Sequence, residues 1–311
     1  MILLKDTALH KLLNYNTVIV HAMQQTSMII FLLLILLCWN CNVTTPQTNE
    51  ESREPTTTLI NLPLINSTGY TVEERILTPA GFERSKVLPG SFQAYLRTLP
   101  LKPVKSLVRY YNGATKANTN VYEAVVDLNI GTKDLHQCAD AIMRLRAEHL
   151  WHQGAYDEIH FNFTNGFRAD YSEWMNGKRM KVDGNKTWWS SKAQPSNTYE
   201  DFWNYMELIF TYAGTASLER ELLPIDMAEA EIGDVIIQGG HPGHAVIIID
   251  KAVNTETGTS AYLLAQSFMP AQEVQVLKNP LSERTSPWYI FDDNQILTPE
   301  WRFRNTDFRR F

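Results

Sequence analysis

The segment from Gly233 to Leu277 constrains the fold more than any other part of the chain. Gly233-Asp-Val-Ile-Ile, His244-Ala-Val-Ile-Ile-Ile-Asp250, Ala261-Tyr-Leu-Leu-Ala-Gln266 and Glu273 to Leu277 are short apolar runs rich in β-branched residues. Gly, Pro, Asn and Thr separate them, so they read as consecutive strands of one antiparallel sheet. Such a sheet has to bury an apolar face against something, and the helical patterns all lie upstream of it. Helices first and a sheet later predict an α+β fold.

The principal helix is expected over Asp134 to Trp151. Leu135, Cys138, Ala141, Ile142, Leu145 and Leu150 share one face there, while Arg144, Arg146 and Glu148 face elsewhere. Thr132 or Asp134 can cap it, which places Cys138 in or near the first turn. There the unpaired N–H groups and the positive end of the dipole favour a thiolate. A second helix begins at the capping sequence Thr198-Tyr-Glu-Asp201 and runs to Gly214, with a further helical turn over Leu218 to Leu223. Phe92 to Leu99, Val121 to Ile130, Ile159 to Phe163, Arg179 to Val182 and Thr187 to Trp189 read as strands.

The 311 residues carry 28 basic and 34 acidic side chains for a net charge of −6, with 44% hydrophobic residues. They hold no dense Lys/Arg block, which argues against nucleic acid as a partner. Met28 to Leu37 is an apolar run of signal-core length, too short for the ~20 residues of a spanning helix. Cys38 and Cys41 follow it, and Asn42 to Thr58 is too polar to fold. Residues 1–41 are therefore expected to be an export signal, with translation starting at Met1, Met23 or Met28. Residues 42–58 form a tether and residues 59–311 a single domain. The signal resembles that of bacterial lipoproteins, which implies lipidation at Cys41, although Asn40 is not the usual small preceding residue. A membrane anchor or a cleaved secretory signal are the alternatives.

Cys138 is then left without a disulfide partner, so it is either buried or used. A cysteine hydrolase needs a thiol, a base and a group that orients the base. Cys138, His244 and Gln266 can fill these roles, because the strand after His244 can bring Gln266 beside the ring. Asp250 is about 20 Å along the strand from His244 and cannot. Ser267 points to the opposite face. The bland alternative is that Cys138 packs a helix face and His244 caps a strand. His136 reads as a surface group, and Arg144 and Arg146 could hold a carboxylate or form a solvated helix face, the commoner outcome. His241-Pro-Gly reads as a turn. His241 and His244 with Asp234 or Asp250 could in principle bind a metal, but no HExxH-like spacing supports that, and no cofactor is expected. Trp188, Trp189, Trp288 and Tyr289 lie in loop contexts and could line a groove for a sugar or peptide.

The pair Gly233-Asp-Val-Ile-Ile and Gly-His244-Ala-Val-Ile-Ile-Ile-Asp resembles the strand pair of NlpC-type cell-wall hydrolases, a papain-like group. That resemblance implies a papain-like core, with a Cys-bearing helix packed on an antiparallel sheet, and cleavage of peptidoglycan peptides. A second resemblance rests on Gln137-Cys-Ala-Asp-Ala-Ile-Met-Arg-Leu-Arg-Ala-Glu148, Phe161 to Tyr171, Phe210 to Thr215, Gly239-Gly-His-Pro-Gly-His-Ala-Val246, Leu264 to Gln272, Ser286-Pro-Trp-Tyr289 and Thr298-Pro-Glu-Trp301. These blocks are similar to a family of bacterial envelope lipoproteins of unknown function. Together the two imply a lipid-anchored protein of the bacterial cell envelope, with cell-wall peptide or glycan as partner. It would be a cysteine hydrolase or transferase, or else a non-catalytic module that binds glycan or a protein.

Overall fold

The computed structural model describes residues 64–292 and 295–311. The export signal, Cys41 and the tether lie outside the described residues. Among the described residues no helix is long and apolar enough to cross a membrane.

The chain enters through α1 (Val72–Arg75), β1 (Phe82–Arg84), α2 (Phe92–Arg97) and β2 (Tyr122–Val125). Segment 92–97 is helical, where the sequence predicts a strand. Ser91 accepts from the N–H of Ala94 at 3.2 Å, and Phe92 and Leu96 are both buried, as an i, i+4 pair on one helix face would be. The principal helix α3 spans Cys138–His152. It starts later than predicted, because Gln137 is the capping residue and donates its N–H to the Asp140 carboxylate at 3.0 Å. Asp134 instead accepts from the N–H of Ala271 at 2.7 Å, tying the approach to α3 to a later loop.

Then come β3 (His160–Asn162), β4 (Arg168–Asp170), α4 (Tyr171–Met175) and the hairpin of β5 (Lys178–Asp183) with β6 (Lys186–Ser191). Helix α5 (Tyr199–Tyr212) is capped by Thr198, which accepts from the N–H of Asp201, and α6 (Thr215–Glu221) follows. The remaining strands are β7 (Leu223–Pro224), β8 (Val235–Gln238), β9 (His244–Asn254), β10 (Ser260–Gln266), β11 (Gln275–Leu277), β12 (Gln295–Leu297), β13 (Arg302–Arg304) and β14 (Phe308–Arg310). This mixture of helices with antiparallel strands is α+β, as the sequence predicts.

Eight strands form one sheet in the order β2-β11-β10-β9-β8-β14-β7, with β1 joining along β9. β9 pairs with β10 on one side, and with β8 and then β1 on the other. Its residues alternate between two cores. Ala245, Ile247 and Ile249 pack into a large core with Ala141, Ile142 and Leu145 of α3 and with Phe202 and Ile209 of α5. Val246 and Ile248 pack with Leu264, Tyr289, Ile296, Phe303 and Phe308. The C-terminal segment thus covers the face that the helices leave open, which is why the strand is apolar at every position from Ala245 to Ile249 and not at alternate ones. Buried on both sides, α3 has little of the one-sided character the sequence suggests. Arg144 is buried, bonded to Glu148 at 3.2 Å and lying 4.6 Å from the Trp203 ring centroid. Of the two readings of Arg144, the carboxylate holder is the one the structure shows, and the solvated face is not.

Asp250 is fully buried, and it accepts from Arg84 and Arg97 at 2.7 Å each. It ties β1 and α2 to the far half of β9. Replacing Asp250 with Ala leaves two guanidinium groups without their charge partner, so equilibrium urea denaturation of the full chain should give a loss of about 3–5 kcal/mol.

Candidate active site

Three elements meet at the start of β9. Cys138 is the first residue of α3, where the backbone N–H groups have no helical partner. The N–H groups of Ala139, of Ala245 and of Cys138 itself face its sulfur. Contact with Ala245 puts the thiol beside the first residues of β9, where β10 has ended. β10 pairs Leu264 with Ile248 and Ala265 with Ile247, so Gln266 comes opposite Val246, on the same face as His244. His244 Nε2 and Gln266 Oε1 are 2.8 Å apart. His244 is therefore no simple strand cap.

The imidazole is almost wholly enclosed. The rings of Phe268, Trp301 and Phe303 lie 4.7, 5.3 and 5.9 Å from it, centroid to centroid. Behind Gln266 its Nε2 donates to Glu300 at 2.7 Å, and Glu300 pairs with Lys116 at 2.6 Å. Lys116 also donates to Gln272 Oε1 at 3.0 Å. Ser267 points away, as expected, and donates to the carbonyls of His136 and Gln272. That clamp holds the approach to α3 against the end of β10.

A cleft of about 250 Å³ opens at the thiol, bordered by Cys138, Asp140, Phe210, Thr215, His241 and Met269. The turn His241-Pro-Gly forms one wall. Gly243 lies so close to α6 that a Cβ there would meet the Thr215 hydroxyl at 2.4 Å and the Gln238 carbonyl at 2.8 Å. Glycine lets the turn reach the cleft.

Burial sets the charge states. It raises the Cys138 thiol to about 11, aided by the charge of Asp140 and opposed by the surrounding N–H groups. The helix terminus alone would favour a thiolate, but desolvation outweighs it. Burial also lowers His244 to about 4, offset in part by the bond to Gln266 and reinforced by the charge of Lys116. Burial raises the Asp140 carboxyl to about 8 despite the N–H of Gln137, and its Oδ1 has no partner. At neutral pH the thiol, imidazole and carboxyl are all uncharged.

Several expected positions differ. His136 is fully buried, edge-on to Phe210, with neither ring nitrogen bonded. It is not a surface group, because α5 brings Phe210 over its ring. Trp288 is fully buried and donates to the Leu77 carbonyl at 2.8 Å, so it is core and lines no groove. Tyr289 is also buried, in the core on the opposite face of the sheet, and borders a separate cleft. Trp189 packs 5.8 Å from Phe167 on the β5–β6 hairpin, while Trp188 is 45% exposed there. None of the four borders the cleft at Cys138. Asp234 is taken by Arg310 and Asp250 by the two arginines, so neither joins His241 and His244. Among the described residues no group of three or more His, Cys, Asp or Glu side chains could hold a metal ion. Sequence reasoning missed Lys116 and Glu300. The signal for Glu300 was its place in Thr298-Pro-Glu-Trp301, since two of the quoted blocks, this one and Leu264 to Gln272, converge on His244.

The chain belongs to the family described as domain of unknown function 4846, DUF4846, whose family model matches residues 72–310. No curated protein and no solved structure matches it. The DUF4846 match contains every group described around Cys138 and His244, including Lys116 and Glu300.

Two expectations follow from the burial of these groups. Iodoacetamide labelling of Cys138 in the full chain, followed by peptide mass spectrometry, should be slow at pH 7 and rise through a midpoint well above the ~8.5 of a free thiol. A midpoint below that would mean the helix terminus outweighs burial. For Asp140, the unfolded chain ionises near 3.8 while the folded chain keeps its proton to about 8. The protein therefore loses stability as pH rises through that interval. Asp140→Asn should melt higher than the wild type at pH 8, with the difference closing toward pH 4.

Proposed function

We propose that this DUF4846 protein is an exported, lipid-anchored cysteine hydrolase or transferase of the bacterial cell envelope, with a papain-like core, acting on an amide bond of peptidoglycan peptides. The observation that carries the reading is the Cys138 sulfur at the head of α3, faced by the N–H of Ala245, which follows His244 in β9, together with the bond between His244 and Gln266 of the adjacent strand. A Cys-headed helix lying on an antiparallel sheet supports the papain-like comparison.

In this reading the Cys138 sulfur attacks the substrate carbonyl carbon while His244 takes the thiol proton, because the resting pair is neutral. The N–H of Cys138 steadies the developing oxyanion. His244 then returns the proton to the departing amine as the C–N bond breaks, leaving a thioester. Water or a second amine attacks the thioester, giving hydrolysis or transfer, and the thiol is restored. Cys41 and the apolar run Met28 to Leu37 support the anchor, and of Trp188, Trp189, Trp288 and Tyr289 it is Trp188 that is exposed and available to contact glycan.

The test is release of peptides from purified peptidoglycan by the full chain. His244→Ala should slow release by about 10²–10⁴-fold, the range for losing a general base, and Cys138→Ala should abolish it. Unchanged release by both variants would end the catalytic reading. The high thiol and low imidazole values favour one other reading, a binding module for cell-wall glycan or a protein. It predicts no turnover and equal affinity of wild type and Cys138→Ala for the same peptidoglycan. Metabolic labelling with palmitate should in turn mark the wild type and not Cys41→Ala.

A further inference from the structure

The polar chain behind His244 has a direction that its chemistry forces. Lys116 can only donate hydrogen bonds, and a carboxylate or a backbone carbonyl can only accept them. Gln272 donates to the Pro270 carbonyl at 3.1 Å, which turns its Oε1 toward Lys116. Glu300 Oε2 accepts from Lys116 at 2.6 Å and from Gln266 at 2.7 Å. With its NH₂ committed to Glu300, the Gln266 amide must present its oxygen to His244 Nε2. The imidazole nitrogen at that contact therefore carries the hydrogen, and Nδ1 keeps its lone pair. Lys116, Gln266 and His244 are all at least 96% buried, so water is poorly placed to supply an alternative partner.

We infer that Glu300 and Lys116 are positioning residues that select the Nε2–H tautomer of His244 by fixing the orientation of the Gln266 amide. The functional meaning rests on the proposed role of His244 as base, because only this tautomer leaves Nδ1 free to take a proton. The tautomer itself does not depend on that role, so the two ideas fail separately.

Replacing Glu300 with Gln is the informative conservative change. Lys116 still demands an acceptor there, so the new amide would present its oxygen to Lys116 and Gln266 and keep the arrangement. Glu300→Met removes the acceptor, frees the Gln266 amide to turn over, and should let both tautomers form. The measurement is the ¹⁵N spectrum of the full chain labelled at histidine, at pH 7, with the His244 signals assigned by their loss in His244→Gln. Wild type and Glu300→Gln should show a single Nε2–H tautomer, and Glu300→Met a mixture. Nδ1–H in the wild type would overturn the inference, and that spectrum is decisive even if Glu300→Met fails to fold. A folded Glu300→Met that keeps the pure Nε2–H form would overturn it equally. Absence of peptidase activity beside the expected spectra would sink the proposed enzyme and leave the tautomer selection standing.

Discussion

Strand β9 is buried on both faces and hydrogen-bonded along both edges, and the rest of the domain is placed by that constraint. Its odd-numbered residues from Ala245 to Ile249 meet the helices, and Val246 and Ile248 meet the C-terminal segment. A strand in that position cannot slip by one residue without exchanging its two cores. His244 at one end therefore has a fixed direction. Asp250 further along is held equally firmly by Arg84 and Arg97. The start of the strand differs from the rest in one respect. There β10 has ended, and the head of α3 puts a sulfur beside the N–H of Ala245.

Desolvation governs the chemistry of that junction. A helix terminus and three N–H groups favour a thiolate, yet enclosure holds the thiol neutral, and it holds the imidazole neutral as well. Under the proposed mechanism the two would exchange a proton only as the reaction develops. The charged groups nearby are kept one bond further back. Lys116 and Glu300 neutralise each other and reach His244 only through Gln266. Asp140, with an unbonded oxygen and its proton retained to about 8, is a strained arrangement in electrostatic terms. Such departures from the most stable choice are more common where a site is used than where it is only packed.

Much of this was legible in the chain before folding. The strands around His244 and Gln266 announced themselves by composition and turns, and alternation placed Gln266 and not Ser267 beside the ring. The errors share one cause. His136 reads as a surface group because a helix would turn it away from Cys138, Arg144 as solvated because that is the commoner outcome for such a pair, and Trp288 and Tyr289 as groove-lining because they lie in a loop context. Each instead found a buried place against an element far away in the chain. Phe92 to Arg97 became a helix because a single serine cap decided between two weak local preferences.

By itself, then, the sequence determined the α+β class, the position of Cys138 at the head of a helix and the pairing of His244 with Gln266, because these depend on period, capping and register over short distances. The tertiary structure decided the burial of α3 on all sides, the neutral state of the thiol and imidazole, and the convergence of Lys116 and Glu300 on Gln266. Those depend on how far each group is withdrawn from water and on contacts spanning 156 to 184 residues of chain, as in the bonds of Lys116 to Gln272 and Glu300. No local pattern encodes such distances, because only packing brings the groups together and removes the solvent between them.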